Sequence, residues 1–395
     1  MQLITFLILL TGLFLTRLID KKIINPVTIT SILWICLLTA YMVINHGLYP
    51  LSEKFFYAIL TWYIPFFLVS FILFISPVNN LPHIRHIPIS ILYRKHLMYL
   101  FIFILIAFVT FKIRDVQQFN SIDLYRTIRQ VSIARSRGEL EKVPFFIAQL
   151  NRIAQFCTIL VYIYYCRSII FKCQWVLYLL VGLYIFLGAN KFIIAKFVLG
   201  IFALKMYKCR LNLITVLIYT CLLIFLLFFL ENLRRGSFND NIDLMSFIYI
   251  YLLTPLPAFD SYILHSSSEM LFTSYDQVGI TLANLKGASD INPALFANQN
   301  MVNVPLPTNV FTMMSTYYVD WKYTGLIMGG AFYGLFFGYI YMRSHKTEVY
   351  KILYASLFHI LVLQSFFDFL ITQQSHYNIS VILLLFRDCR FILLV

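Results

Sequence analysis

Residues 1–22 read MQLITFLILLTGLFLTRLIDKK, and this stretch decides the fold class. Met1 to Thr16 is almost wholly apolar, and the first charges are Arg17, Lys21 and Lys22 behind it. A secretory leader has the opposite order, a basic segment first and a small-residue cleavage site after, so the stretch is read as a membrane helix. Lys and Arg beside such a helix collect on its cytoplasmic side, which puts the amino terminus outside.

The rest of the chain extends that reading. Its 395 residues are 61% hydrophobic and 12% charged, with a mean hydropathy of +0.80, whereas soluble domains carry about 25% charge. Runs close to the roughly 20 apolar residues a crossing needs lie near 2–16, 27–45, 56–75, 97–111, 154–171, 175–190, 192–207, 211–230, 324–342, 351–370 and 377–395. The expected architecture is an all-α polytopic integral membrane protein of about 11 transmembrane helices, within 10–12, forming a single membrane domain over 1–395. With the amino terminus outside, Arg17 to Lys22, Arg85 to Lys95, Lys205 to Arg210 and Arg343 to Lys351 all face the cytoplasm, as the charge bias requires. The net charge of +14 is spread between apolar runs, not gathered on a soluble domain, which argues against nucleic acid as a partner. No cysteine falls in an outside connection, so no disulfide is expected.

Two long outside regions remain, 112–152 and 231–323, and loops of that length are usually functional elements. Within the second, 244–264 is apolar enough to span but is interrupted by Pro255 and Pro257, so it is read as re-entrant or interfacial. The first is densely basic on the side where basic loops are disfavoured, and an anionic ligand would explain that. Asn120 or Ser121 can cap a helix there and Gly138 can end it, predicting a helix over 121–137. At about 100° per residue, Arg126, Arg129 and Arg137 share one face, while Arg135 lies opposite with Leu124, Ile128 and Val131. An arginine in an apolar stripe needs a partner, and a diphosphate suits a guanidinium fork; the alternative is snorkelling to water.

Lys196, one turn into the run beginning at Lys191, and Arg234 with Arg235 at the end of another run, bring further cations to the same outer boundary. A lipid-linked diphosphate would sit at that level, and anionic headgroups are the plainer alternative. Acids on that side, Asp260 and Asp320 among them, could serve as a general base toward a sugar hydroxyl. His359, Gln364 and Asp368 are expected in the tenth helix. No nucleotide-binding loop, HExxH or paired Cys-x-x-Cys is present, so no metal and no cofactor is expected, and the substrate must supply the energy of any reaction.

The strongest local pattern is Pro307-Thr308-Asn309-Val310-Phe311-Thr312, then Tyr317-Tyr318-Val319-Asp320 and Gly325. It resembles the Asn-Val-Phe/Tyr-Thr…Tyr-x-Asp-Phe-Gly…Gly stretch of the bacterial O-antigen polymerase (Wzy-type) family, and the Tyr249–Tyr262 region with TPLPAFDSY is similar to that family too. The chain departs at Asp320-Trp321-Lys322, where the family shows Asp-Phe-Gly. The resemblance implies a membrane glycosyltransferase of GT-C-like architecture with two large periplasmic loops in the bacterial inner membrane, its site facing the periplasm. It would move a growing glycan from undecaprenyl diphosphate onto another lipid-linked repeat unit, building O-antigen or a related surface polysaccharide. Partners would be the undecaprenyl-diphosphate-linked oligosaccharide, membrane lipids, and the chain-length regulator and flippase of the same pathway. Arg135, Arg234, Arg235, Lys196, Arg126, Arg129 and Arg137 would contact diphosphate, Tyr317, Tyr318 and Asn309 the glycan, and Asp320 would orient or deprotonate the acceptor. An O-antigen ligase of similar architecture and a flippase for the same lipid are the competing readings.

Overall fold

The structure, a computed structural model, describes residues 1–75, 95–117, 127, 128, 130, 131, 162, 174–187, 191–208, 213–235, 243–265, 302–308 and 311–365. The helices are α1 (Gln2–Ile19), α2 (Pro26–Val43), α3 (Glu53–Ile75), α4 (Lys95–Gln117), α5 (Gln174–Leu187), α6 (Lys191–Lys208) and α7 (Leu213–Arg235). They continue with α8 (Leu244–His265), α9 (Met314–Ser344) and α10 (Glu348–Val362). A short antiparallel pair, β1 (Val302–Asn303) and β2 (Pro307–Thr308), precedes α9. Among the described residues, α1, α2, α3, α8 and the Trp321–Ser344 part of α9 are long and apolar enough to cross a membrane. The chain is a helical membrane protein with several passes; the expected runs at 154–171, apart from Tyr162, and at 377–395 lie outside the described residues.

Two compact units divide the chain: unit 1 is Met1–His83, Leu244–Lys346 and Ile360–Tyr377, and unit 2 is Ile84–Asp243, Thr347–His359 and Asn378–Val395. In unit 1 the central contact is α3 against α9. Apolar helices gain nothing by hiding from lipid tails, so they associate through small residues that let backbones approach. Gly330, Gly334 and Gly338 recur every fourth residue and form such a seam. A Cβ on Gly330 would lie 2.1 Å from the Trp62 carbonyl oxygen, and one on Gly334 2.5 Å from that of Phe66. Ser70 closes the seam by donating its hydroxyl to the Gly334 carbonyl at 3.2 Å. Tyr57 meets Tyr323, Trp62 meets Gly330 and Ser70 meets Gly338, so α3 and α9 run parallel.

The ends of the other helices follow. The amino group of Met1 lies 4.0 Å from Glu53, and Gln2 Nε2 reaches Met42 Sδ at 2.7 Å, so α1 starts where α2 ends and α3 starts. At the opposite end Asp20 accepts hydrogen bonds from the Lys22 N–H at 2.9 Å, Asn25 Nδ2 at 3.2 Å and the Tyr341 hydroxyl. That end gathers Arg17, Lys21, Lys22, Arg343 and Lys346, against Lys54 and Lys322 at the Met1 end, among the described residues of unit 1.

Several boundaries differ from expectation for identifiable reasons. Pro255 and Pro257 do not interrupt α8. A π-helical turn, Tyr249–Leu253, widens the backbone so that Thr254 N–H bonds Tyr249 O at 2.9 Å. The prolines then fall in the first turn of the α-helix Pro255–His265, where no N–H donor is needed. α4 runs on to Gln117, so Lys112 and Arg114 belong to its last turns and not to a loop. α10 stops at Val362, and Gln364 sits past it in a turn where its carbonyl accepts from Met313 N–H at 2.9 Å. Asp368 lies outside the described residues.

In unit 2, α4 packs on α5 through Phe108 and Tyr184, ring centroids 5.2 Å apart. The Tyr162 ring stacks on Phe197 of α6 at 5.8 Å, and its hydroxyl fills the space a Cβ on Gly200 would need.

Replacing Gly334 with leucine should cost about 1–3 kcal/mol or more by overpacking against backbone and sharply reduce monodisperse protein in mild detergent. Gly182→Leu is the control, since a Cβ there meets nothing within 4 Å; equal yields from the two variants would remove the seam from the account.

Candidate functional site

Three stretches of unit 1 meet at its Met1 end: the connection 44–52, the carboxyl-terminal half of α8, and the chain from Phe311 through the start of α9. Ser52 caps α3, its hydroxyl accepting from Phe55 N–H at 3.4 Å. It also faces Asp260, which is 3% exposed. The carboxylate accepts the Ser52 N–H at 2.7 Å and the Ser52 hydroxyl. A buried carboxylate needs donors, and here two from one residue hold α8 to the start of α3. Farther along α8, the Tyr249 hydroxyl donates to the Asn45 carbonyl at 3.4 Å. Eleven residues separate the two tethers, about 16 Å of helix.

His46 stiffens the connection itself. Its Nδ1 accepts from Leu48 N–H at 3.0 Å, which leaves Nε2–H to donate to Tyr41 O at 2.7 Å.

Around Asp260 the rings cluster. Phe259 packs against Phe55 at 6.2 Å and against Tyr318 at 5.9 Å. Tyr262 lies 6.3 Å from Tyr318 and 6.2 Å from Phe311. Tyr323 joins Tyr318 at 5.5 Å to the exposed ring of Tyr57 at 5.0 Å. The Tyr318 hydroxyl donates to that of Tyr323; burial first, then the neighbouring Tyr323 and Tyr262, push its pKa up to about 12, so it stays protonated at neutral pH.

α9 is broken inside this cluster. Trp321 has φ −142° and ψ 22°, and Lys322 has φ 52° and ψ −134°, the only positive φ outside glycine among the described residues. The break lets Gly325 press on the preceding turn, where a Cβ would lie 2.1 Å from the Tyr317 carbonyl oxygen. Lys322 Nζ lies 5.2 Å from the Tyr318 ring centroid. This is the position at which the sequence departs from Asp-Phe-Gly, and its backbone is one glycine would adopt freely. At the other end of this first stretch of α9, where Met313 N–H bonds the Gln364 carbonyl, Thr312 Oγ1, both amide atoms of Gln364 and Ser365 Oγ are buried without hydrogen-bond partners, although such groups are normally paired.

The expected site residues separate by unit. Arg126, Arg129, Arg135, Arg137 and Asn309 lie outside the described residues. Of 121–137 the described residues Thr127, Ile128, Gln130 and Val131 are helical, with Thr127, Ile128 and Val131 buried and Gln130 exposed. Lys196 is the sixth residue of α6 and half-buried; the Tyr162 hydroxyl bonds its carbonyl at 3.3 Å and that of Phe197 at 3.2 Å. Arg234 and Arg235 form the carboxyl end of α7, where cations complement the helix dipole. All these cations belong to unit 2, and the expected glycan contacts belong to unit 1. There Tyr317 and Tyr318 are 4% and 5% exposed. Tyr317 packs on Gly329 and on Tyr333, 6.1 Å away. Asp320 is the last residue before the break.

Sequence reading did not single out Ser52 or Lys322 and left Asp260 among many acids. An acid inside the apolar run TPLPAFDSY is the signal that could have raised it. The chain matches no protein-family model, no curated protein and no solved structure.

Asp260→Ala strands the Ser52 N–H and hydroxyl and should cost about 3 kcal/mol, with Asp260→Asn, which keeps an acceptor, costing roughly half. Thermal unfolding of the full chain in detergent measures both; an alanine variant melting with wild type would mean that the clamp does not hold α8.

Proposed function

We propose that this protein polymerises lipid-linked oligosaccharide repeat units at the outer face of a bacterial inner membrane, as a glycosyltransferase of O-antigen or related polysaccharide synthesis. One observation carries the reading: the two stretches that bear the resemblance, Tyr249–Tyr262 and Pro307–Asp320, lie far apart in the chain yet pack together, through Phe259, Tyr262, Phe311 and Tyr318. They do so at the end of unit 1 poor in Lys and Arg, which charge bias makes the outer one. The partly exposed Tyr262 and Tyr323, both packed on Tyr318, offer rings and hydroxyls that suit a hydroxyl-rich ligand such as a glycan.

In this reading an acceptor hydroxyl oxygen forms the new bond to the anomeric carbon of the donor sugar. The bond from that carbon to the diphosphate oxygen breaks, and undecaprenyl diphosphate leaves with the electron pair. The hydroxyl proton passes to a carboxylate, for which Asp320 at the break is the first candidate. Negative charge grows on the departing diphosphate, and Arg135, Arg234, Arg235 and Lys196, with Arg126, Arg129 and Arg137, are the cations proposed to stabilise it. No cofactor is called for, because the sugar–diphosphate bond supplies the energy. α8 is proposed to lie at the membrane boundary, and the chain-length regulator and flippase of the pathway are the proposed partners.

A strain lacking the gene, complemented with wild type or with Arg135→Ala at equal membrane levels, tests this directly. The expected result is one repeat unit per lipid without the protein, a full ladder with wild type, and polymerisation about 100-fold slower or worse with Arg135→Ala. Long chains stranded on the lipid carrier would instead mark a ligase, and repeat units trapped on the cytoplasmic face a flippase.

A further inference from the structure

We propose that Lys322 is an anion contact whose ammonium binds the phosphate head of a lipid-borne substrate where α9 enters the membrane. This deepens the reading above and, for the diphosphate as the bound species, rests on it.

The break at Trp321 and Lys322 turns the chain so that Gly325 meets the Tyr317 carbonyl and Gly329 the Tyr317 ring, contacts that leave no room for a side chain at either glycine. Some residue must therefore take φ 52° with ψ −134°. Glycine does so at no steric cost, whereas a side chain is strained there. The backbone of the break is one that glycine would supply without a side chain. Lys322 is half-buried, its ammonium 5.2 Å from the Tyr318 ring. A surface charge that only meets solvent or headgroups can occupy relaxed backbone anywhere along a helix end. Strain kept at one position, next to the tyrosine cluster, is the pattern of a side chain retained for what it contacts.

Location gives the class of ligand. Lys322 is the second residue of the apolar stretch Trp321–Ser344, so it stands at the edge of the hydrocarbon layer, the level of lipid phosphates. In unit 1 the other described cations at this end are Lys54 and the Met1 amino group, which pairs with Glu53, and Lys322 is the one set against the aromatic cluster. A lysine ammonium is a compact, strongly charged phosphate ligand. Diphosphate on a polyprenyl chain and phosphate on a bulk phospholipid share that chemistry.

The test uses the full-length protein in phosphatidylcholine nanodiscs, with undecaprenyl diphosphate labelled in its phosphates as probe. Variants are Lys322→Gly, which relieves the strain and removes the cation, and Lys322→Arg, which keeps both. Expected are a Lys322→Gly melting temperature at or above wild type together with probe binding weakened roughly tenfold or more, and near-normal binding by Lys322→Arg. Adding phosphatidylglycerol in excess separates the sources: unchanged probe binding assigns the site to the polyprenyl diphosphate, and proportional displacement assigns it to a headgroup phosphate. If Lys322→Gly melts below wild type the lysine serves the fold, and if it binds the probe as wild type does there is no contact; either result overturns the proposal. A polysaccharide ladder that forms without this protein would remove the polymerase reading and leave the binding result standing. A ladder that needs the protein, with normal probe binding by Lys322→Gly, would overturn the lysine's role alone.

Discussion

The close approach of α3 and α9 sets the geometry of unit 1. Surrounded by lipid, two apolar helices have little reason to prefer each other to acyl chains, and the preference comes from backbones near enough for dispersion and weak polar contacts to add up. Gly330, Gly334 and Gly338 allow that approach, and the carbonyls of Trp62 and Phe66 occupy the space that side chains would take. Gly330 meets Trp62, Gly334 meets Phe66 and Gly338 meets Ser70, which defines the register of the seam. That register puts Tyr57 opposite Tyr323, so the break in α9 stands level with the first turns of α3. The position of the aromatic cluster is thus a consequence of where the glycines are.

The polar groups of unit 1 are concentrated at its two ends, as a low-dielectric interior demands. At one end Asp20 ties the α1–α2 turn to Tyr341 of α9. At the other, Asp260 and Ser52 tie α8 to α3. The π-turn in α8 belongs to the same economy of donors. A regular helix would lose the N–H groups of Pro255 and Pro257 in mid-course, whereas the turn moves them to a helix start, where nothing is lost.

Much of this was legible in the sequence, because apolar runs of membrane-spanning length report directly on solvent. The runs at 27–45 and 56–75 correspond to α2 and α3 within a few residues. The apolar stripe with Ile128 and Val131 was visible from helical periodicity alone. What escaped was set by neighbours distant in the chain. The four-residue glycine repeat was present in the sequence, but the partner that makes it a seam is α3. Asp260 looked like any other acid until Ser52 was beside it. The Asp320-Trp321-Lys322 departure was visible only against the Asp-Phe-Gly pattern of the family it resembles, and only the backbone angles turn it into strain at a defined residue.

The parallel course of α3 and α9 also constrains the chain between them. Two helices that cross in the same direction must be joined by a segment that crosses an odd number of times. Length and composition would permit α8 to cross. Its two tethers point the other way, since Tyr249 and Asp260 both bond to the connection 44–52 at the Met1 end although about 16 Å of helix lies between them. A helix descending beside α3 would carry one of those residues well below the connection, whereas one lying across the end keeps both in reach. The hydrogen bonds therefore favour an arrangement in which α8 lies across the end of unit 1 and holds Phe259 and Tyr262 against Tyr318, just before the break in α9.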